Sequence, residues 1–234
     1  MALAGKTALI TGAAGTLGRA VAAAFKTAGA NRVLLDIDAA GLERAHGGDA
    51  DDQLLRAADL GDREAVKAAC QAAIDTFGTI DAACNIAGGF TMGDPVHETP
   101  MEVWRRMMNM NAVSVINTCA AVVPHMLAAD GGKIVNVGAM GGLKGGAQMG
   151  AYAASKSAVI RLTESLSAEL RESGINVNCV LPSIIDTAPN REAMPDADPA
   201  RWVAPEALAD VIVFLASDGA RAIHGAAVPV VGLS

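Results

Sequence analysis

What most restricts the fold of this chain is an alternation of short apolar runs with helical stretches, set up within the first 36 residues. Lys6-Thr-Ala-Leu-Ile10, bounded by Thr11-Gly12, reads as a buried strand, Ala20 to Ala28 as a helix closing at Gly29, and Arg32-Val-Leu-Leu-Asp36 as a second strand. Strands joined through a helix need a crossover, so they run parallel in one sheet. The alternation then repeats. Leu54–Ala58, Ala82–Asn85, Lys133–Val137, Asn176–Leu181 and Ala227–Val231 are further strands, with helices near Asp62–Phe77, Met101–Ala128, Tyr152–Ser173 and Pro205–Ala216. No repeat, linker or low-complexity run interrupts them. The expectation is one α/β domain over residues 1–234, a doubly wound parallel sheet with helices on both faces. Five of the nine prolines fall between Pro182 and Pro205, which reads as a loop long enough to cover a site.

The first strand-to-helix turn is Thr11-Gly-Ala-Ala-Gly-Thr-Leu-Gly18. Glycines at Gly12, Gly15 and Gly18 let backbone turn tightly and approach a pyrophosphate, with Thr16 and Leu17 opening the helix whose positive end faces the phosphates. In a chain with 25 glycines an ordinary tight turn has the same spelling. Context adds Asp36, eighteen residues beyond Gly18, where a carboxylate can accept from a ribose hydroxyl pair. A 2′-phosphate about 4 Å from that carboxylate would cost on the order of 4 kcal/mol at an effective dielectric of 20. No lysine or arginine at Gly15, Thr16 or Ile37 offsets this, so NADH is expected over NADPH. A solvated strand-end acid is the plainer alternative for Asp36, and Asp38 is close enough to be confused with it.

Gly150-Ala-Tyr-Ala-Ala-Ser-Lys156 sets a phenol and an ammonium four residues apart on a helix, hence on one face. Val159, Leu162, Leu166 and Leu170 continue that face, so Tyr152 and Lys156 are expected to point inward. A cation within about 4–6 Å can lower a phenol by roughly 1–3 units and make it a general acid/base near neutrality. A core tyrosine beside a snorkelling lysine would satisfy the same seven residues.

Composition removes other classes. With 52% hydrophobic residues in 234, the chain can bury a large core, and a net charge of −7 offers no footprint for nucleic acid or an anionic membrane. Cys70, Cys84, Cys119 and Cys179 lack C-x-x-C spacing and read as reduced structural thiols. No eighteen-residue apolar run and no signal peptide at Met1 are evident, so a cytoplasmic location is expected. His97 and His125 show no metal-ligand spacing, and Met101, Met107, Met108 and Met110 read as helix packing.

Over essentially its whole length the chain resembles the short-chain dehydrogenase/reductase family. The ordered signatures are the glycine turn, Asp59-Leu60, Asn85-Ile-Ala-Gly88, Trp104 leading to Asn111, Tyr152-x-x-x-Lys156 and Leu181-Pro-Ser-Ile-Ile-Asp-Thr187. The resemblance implies a Rossmann-type fold and hydride transfer between NAD(H) and a carbonyl, hydroxyl, quinonoid or imine-like carbon of a small substrate. Tyr152 would handle the proton, Lys156 would hold the nicotinamide ribose and lower the phenol, and Asn111 would anchor a proton-relaying water. Asp59 and Leu60 would flank adenine; Asn85, Ala87 and Gly88 would line the cleft; Ile185 and Thr187 would hold the carboxamide, with Pro182 also at the cofactor. A homodimer or homotetramer is implied as well.

Three positions depart from the family pattern. Thirteen residues before Tyr152, where the family carries a serine that polarises the substrate, stands Ala139; Thr16 replaces a glycine, and Ile86 replaces an asparagine. Losing such a donor can cost about 3–4 kcal/mol where it matters. Ser183 and Gln148 are the candidate substitutes. Dihydropteridine reductases within the family also lack that serine, and this chain resembles them in Ala87-Gly-Gly89, in Gly138 to Gly145 and in Asp186 to Asp198 followed by Trp202. A dinucleotide-binding protein without turnover is the contrasting expectation.

Overall fold

Neighbouring residues on the central strands bury on opposite faces, which is why those strands read as unbroken apolar runs. Leu9, Val33, Leu35 and Ile134 join one core cluster; Ile10, Leu34, Cys84 and Val135 join the other. The computed structural model describes residues 2–234. Strands β1 (Thr7–Thr11), β2 (Asn31–Asp36), β3 (Gln53–Ala57), β4 (Ala82–Asn85), β5 (Gly132–Val137), β6 (Ile175–Pro182) and β7 (Ala227–Val230) form one parallel sheet ordered 3-2-1-4-5-6-7. Helices α1 (Thr16–Thr27), α2 (Ala39–His46) and α8 (Pro205–Leu215) bury Val21, Phe25, Leu42, Leu208 and Ile212 on one face. On the other, α3 (Arg63–Phe77), α5 (Ser114–Ala128) and α6 (Gly150–Leu170) contribute Val66, Val115, Val122, Met126 and Val159.

The doubly wound expectation holds, with corrections. Helix α1 begins at the glycine turn itself, four residues before the expected Ala20. Helix α2 was absent from the expectation because its short AAGLERAH segment buries little beyond Gly41 and Leu42. What starts it is Asp38, whose side chain accepts from Gly41 N at 2.9 Å. The expected helix Met101–Ala128 is split: α4 (Met101–Met108) passes through a π turn, Asn109–Val113, into α5. By length and composition that run could cross a membrane, yet 56% of its most apolar window is buried in the fold. Pro182–Pro205 is not loop throughout, since it contains α7 (Ala188–Ala193) and a 3-10 turn at Pro199–Arg201.

The buried ridge of α6 also differs from the leucine stripe expected. Lys156, Val159, Ile160, Thr163, Ser167 and Leu170 are buried, whereas Leu162 and Leu166 are only partly covered. Small hydroxyl residues occupy the inner face because Thr163 returns its proton to Val159 O at 2.8 Å while accepting from Asn136 Nδ2 at 2.9 Å. All four cysteines are free and buried.

The chain reverses its direction of travel across the sheet between β1 and β4, opening a crevice beyond their carboxyl ends. Thr11 Oγ1 closes its floor, accepting from Ile86 N at 3.0 Å and Ala87 N at 3.1 Å.

Candidate active site

The crevice is a cavity of about 930 Å³. Along it lie Gly12, Gly15, Thr16, Leu17 and Gly18 from the first turn, Asp36 and Ile37 after β2, Asp59 and Leu60 after β3, Ala87 and Gly88 after β4, and Thr187. Thr16, Leu17 and Gly18 open α1 with no side-chain cap and no acid in the first turn, so their N–H groups face an anion-sized opening. Gly12 has φ of 65°, and a Cβ there would stand 2.8 Å from Ala87 Cα. At Gly18 a Cβ would overlap the Gly12 carbonyl oxygen and come within 2.7 Å of Ala13 Cα. The two β-ends touch through these glycines, and the backbone lies open to a pyrophosphate.

The ambiguity between the two acids is resolved by their partners. Asp38 caps α2 and pairs with Arg44 at 3.2 Å, away from the cavity. Asp36 lines the cavity and is aimed by the glycine turn: its Oδ2 accepts from Ala14 N at 3.0 Å and its Oδ1 from Asp38 N at 3.2 Å. Lone pairs remain on both oxygens for ribose hydroxyls. Asp59 is held by Gly61 N at 2.8 Å.

Beyond Gly88 stands the second half of the site. A Cβ on Gly88 would lie 2.7 Å from Asn111 Oδ1 and 3.1 Å from Lys156 Nζ, so only glycine lets the cavity wall and these two side chains meet. The wide π turn presents Asn111 inward at 1% exposure. Its Oδ1 accepts from Gly89 N at 2.9 Å, and its Nδ2 donates to Gly89 O at 3.1 Å and Ser155 Oγ at 2.9 Å. Ser155 Oγ in turn donates to Tyr152 O at 2.8 Å. The Asn111 amide thus pins the β4 loop to α6. Lys156, 5% exposed, donates from Nζ to Val137 O at 2.8 Å.

Acidity at the pair differs from the expectation. Burial pushes the Lys156 ammonium down to about 8, with neighbouring Cys179 acting weakly the other way. Burial also pushes the Tyr152 phenol up from its ordinary value, where a lysine-lowered phenol was expected. The reason is that the ammonium is turned to the β5 carbonyl end, leaving the ring enclosed against Phe90, whose centroid is 4.8 Å away at an interplanar angle of 77°.

Other expectations need correcting. Asn85 lies beneath the cavity and does not line it: its Nδ2 donates to Asn136 Oδ1 at 2.8 Å. Pro182 ends β6, and Ile185 bridges Val203 and accepts from Asn190 Nδ2 at 2.8 Å, so neither borders the open cavity. Ser183 is not a substitute donor in this arrangement, because its hydroxyl is joined to Val231 O at 2.9 Å and to Ser234 Oγ at 2.7 Å. Gln148 is exposed with φ of 61°, and its side chain makes no hydrogen bond among the described residues. Ala139 is buried in extended backbone at φ of −168°. Met110, read as packing, lines the cavity and sits against Gly89. The sequence reading also missed Glu102, Arg105, Arg106, Asn109 and Ser114, which line the cavity from α4 to the start of α5. Their three-and-four spacing opposite buried Met107 was the available signal.

The comparisons with known proteins agree with this geometry. A family model described as short chain dehydrogenase matches residues 6–198. D-threitol dehydrogenase of Mycolicibacterium smegmatis is 35% identical over 234 residues, covering 95% of this chain and 90% of the relative. The crystal structure of an NAD+-bound xylitol dehydrogenase superposes with a TM-score of 0.91 at 27% identity, covering 99% of this chain and 100% of the other. A carveol dehydrogenase from Mycobacterium avium in complex with NAD does so at 0.87 and 28%, covering 99% and 98%. The glycine turn, the Asp36 seat and the Gly88 junction fit NAD as cofactor. This chain belongs to the short-chain dehydrogenase family and is an NAD-dependent oxidoreductase.

Proposed function

We propose that this enzyme transfers a hydride between NAD(H) and a small carbonyl/hydroxyl or quinonoid/imine-like substrate, with Tyr152 as proton donor and acceptor. The observation carrying this reading is the Gly88 junction, where Lys156 Nζ and Asn111 Oδ1 reach the wall of the coenzyme cavity beside the Tyr152 helix turn. When bound, the reduced coenzyme supplies the hydride, and its oxidised form takes one back in the reverse direction. Tyr152 Oη gives its proton to the substrate oxygen or nitrogen as carbon is reduced, and receives one in oxidation. Burial holds the Tyr152 phenol in its protonated form, so the drop in acidity needed for proton transfer near neutral pH would have to come from the bound coenzyme and substrate bringing the Lys156 charge to bear on it. Lys156 would hold the nicotinamide ribose from the Val137 end of β5, and Thr187, which lines the cavity, would border the carboxamide. Residues 182–205 form the substrate lid, braced by a bidentate Arg191–Asp186 pair at 2.6 and 2.8 Å.

Asp36 supports NADH over NADPH, since a 2′-phosphate would displace hydroxyls from a carboxylate already fixed by two backbone N–H groups. Exposed Met101, Trp104, Ile116 and Leu127 on α4 and α5 support a homodimer or homotetramer, which light scattering would resolve. Four buried free thiols fit the cytoplasm.

The test is NADH oxidation across ketones, quinones and quinonoid dihydropterin. Tyr152→Phe is expected to lower turnover at least a hundredfold while leaving NADH binding intact; unchanged turnover would remove the role given to Tyr152. Ala139 motivates two other readings. A dihydropteridine reductase proper would turn over the pterin far faster than simple ketones. A dinucleotide-binding protein without turnover would bind NADH and oxidise it with nothing in the panel.

A further inference from the structure

Helix α2 buries little in the core, yet it reaches Asp36 from both of its ends. At its start, Asp38 N donates to Asp36 Oδ1 at 3.2 Å while the Asp38 side chain caps the helix through Gly41 N. At its last residue, His46 Nε2 stands 2.8 Å from Ala13 O, on the glycine turn thirty-three residues back. A carbonyl can only accept, so this nitrogen carries the proton and the ring is the donor. The same peptide group meets the coenzyme carboxylate with its other end, since Ala14 N donates to Asp36 Oδ2 at 3.0 Å. His46, the Ala13–Ala14 peptide and Asp36 form one line of hydrogen bonds, ending on an oxygen offered to the ribose.

The surrounding contacts stiffen that line. His46 is held at the helix end by Gln53 on β3, itself buried, whose Nε2 donates to His46 O at 3.0 Å and to Gly48 O at 2.9 Å. Gly47 follows with φ of 77°, and its N–H returns to Glu43 O to close the helix. The glycine turn is fixed on its other side, where Ala13 N donates to Leu35 O at 3.0 Å. Gly41 lets the helix lie against the turn, since a Cβ there would be 3.3 Å from Ala14 Cβ. Ala13 is fully buried, and among the described residues no backbone N–H answers its carbonyl, so the imidazole is its partner. A peptide that accepts at its carbonyl donates more strongly at its N–H.

We propose that His46 is a positioning residue for coenzyme choice: through the Ala13–Ala14 peptide it aims Asp36 Oδ2 at the adenosine ribose hydroxyls and so sharpens the preference for NADH. The proposal rests on Asp36 as the ribose acceptor. An aimed carboxylate helps a pair of hydroxyls and does nothing for a 2′-phosphate, which it repels wherever it points. His46 does not line the coenzyme cavity, so its influence passes through the peptide. A helix that only propped up the turn would affect both coenzymes alike, because the pyrophosphate cradle from Gly15 to Gly18 is common to them.

Fluorescence titration with NADH and with NADPH tests this on the wild type, His46→Leu, His46→Gln, Asp36→Ser and the double variant His46→Leu, Asp36→Ser. In His46→Leu the NADH dissociation constant is expected to rise about fivefold, the worth of one neutral hydrogen bond, with NADPH within about twofold of wild type. His46→Gln, whose amide N–H can reach the same carbonyl, is expected to keep NADH binding within about twofold of wild type. In the Asp36→Ser background, His46→Leu should add less than about twofold, because no carboxylate is left to aim. A wild type that prefers NADH, with that preference unmoved in His46→Leu, overturns the proposal and leaves the Asp36 reading standing. So does a glutamine variant as weak as the leucine one, or an undiminished loss in the Asp36→Ser background. A wild type that prefers NADPH removes both.

Discussion

The two halves of the site are built from different materials. Around the coenzyme the contacts are almost all backbone: Gly12 against Ala87, Gly18 against the Gly12 carbonyl, Asp36 fixed by two N–H groups, Asn111 folded onto Gly89. Around Tyr152 the contacts are side chains, Phe90 edge-on to its ring from the loop after β4, and that loop is joined to the one after β5 by a single backbone hydrogen bond. A site that must fit one invariant ligand can use geometry that tolerates no Cβ. A site that selects among substrates needs side chains that vary without disturbing the sheet. If that division is right, changes to the backbone contacts of the first half weaken coenzyme binding far more than changes in the second, which redistribute substrate specificity.

Lys156 sits where the halves join, and its loss should give the largest effect. Lys156→Met is expected to lower kcat/KM by about a thousandfold while raising the melting temperature, an opposition that a purely structural lysine would not show. The sign follows from burial. The folded-state value of about 8 lies below the ordinary 10.5, so the folded protein retains this proton at a cost that is fully present below pH 8. That cost disappears as pH rises from 8 to 10.5, and it amounts to about 3 kcal/mol. Removing the ammonium relieves it, less about 1 kcal/mol for the unpaired Val137 carbonyl. At roughly 2–4 °C per kcal/mol, thermal melts at pH 7 should rise by several degrees, and the gain over wild type should shrink toward pH 10. A variant no more stable at pH 7 would mean that the ammonium is better solvated than its burial implies.

Next in size is Gly18→Ala. Its Cβ has backbone on every near side, so the turn must open, and overpacking of this kind costs roughly 1–3 kcal/mol. NADH affinity is expected to fall about a hundredfold by titration calorimetry, with a melting loss of a few degrees. Retained affinity would show that the coenzyme half is not built on backbone contact.

Asp36→Ser should act more gently, because the backbone cradle survives it. Fluorescence titration is expected to show the NADH-over-NADPH preference narrowing by about tenfold, chiefly through improved NADPH binding as carboxylate repulsion is lost. A wild type that already prefers NADPH would overturn the assignment of Asp36.

How far these features were legible varies with their physical origin. Parallel strands announce themselves by unbroken apolar runs, and the glycine turn by spacing, so β1 to β7 and the coenzyme cradle could be read directly. Arg105 and Arg106 were only half legible: their spacing opposite Met107 marks a polar helix face, but nothing local says that α4 folds that face over the cavity. Nor could the acidity of the pair. The spacing of Tyr152 and Lys156 places them on one helix face, but which acceptor the ammonium chooses is decided by Val137, on a strand nineteen residues away. Helix α2 escaped because a cap, Asp38, and not an apolar stripe, holds it in place.

The smallest effect belongs to Ser183→Ala, and it bears directly on the missing serine. If Ser183 replaced the absent donor at Ala139, its removal would cost about 3–4 kcal/mol of transition-state stabilisation, several hundredfold in kcat. The hydroxyl instead donates to Val231 O at 2.9 Å and lies 2.7 Å from Ser234 Oγ, at the end of the chain. Neutral hydroxyl bonds of that kind contribute about 1 kcal/mol. Steady-state kinetics should therefore show kcat within twofold of wild type, with at most a small drop in melting temperature. If Tyr152 is the substrate's hydrogen-bond donor, as proposed, Ala139→Ser in the same background should raise kcat most for an unactivated ketone and least for a conjugated one. A large loss in Ser183→Ala would mean that the C-terminal segment moves aside in the working enzyme and that the second half of the site has a polar donor after all.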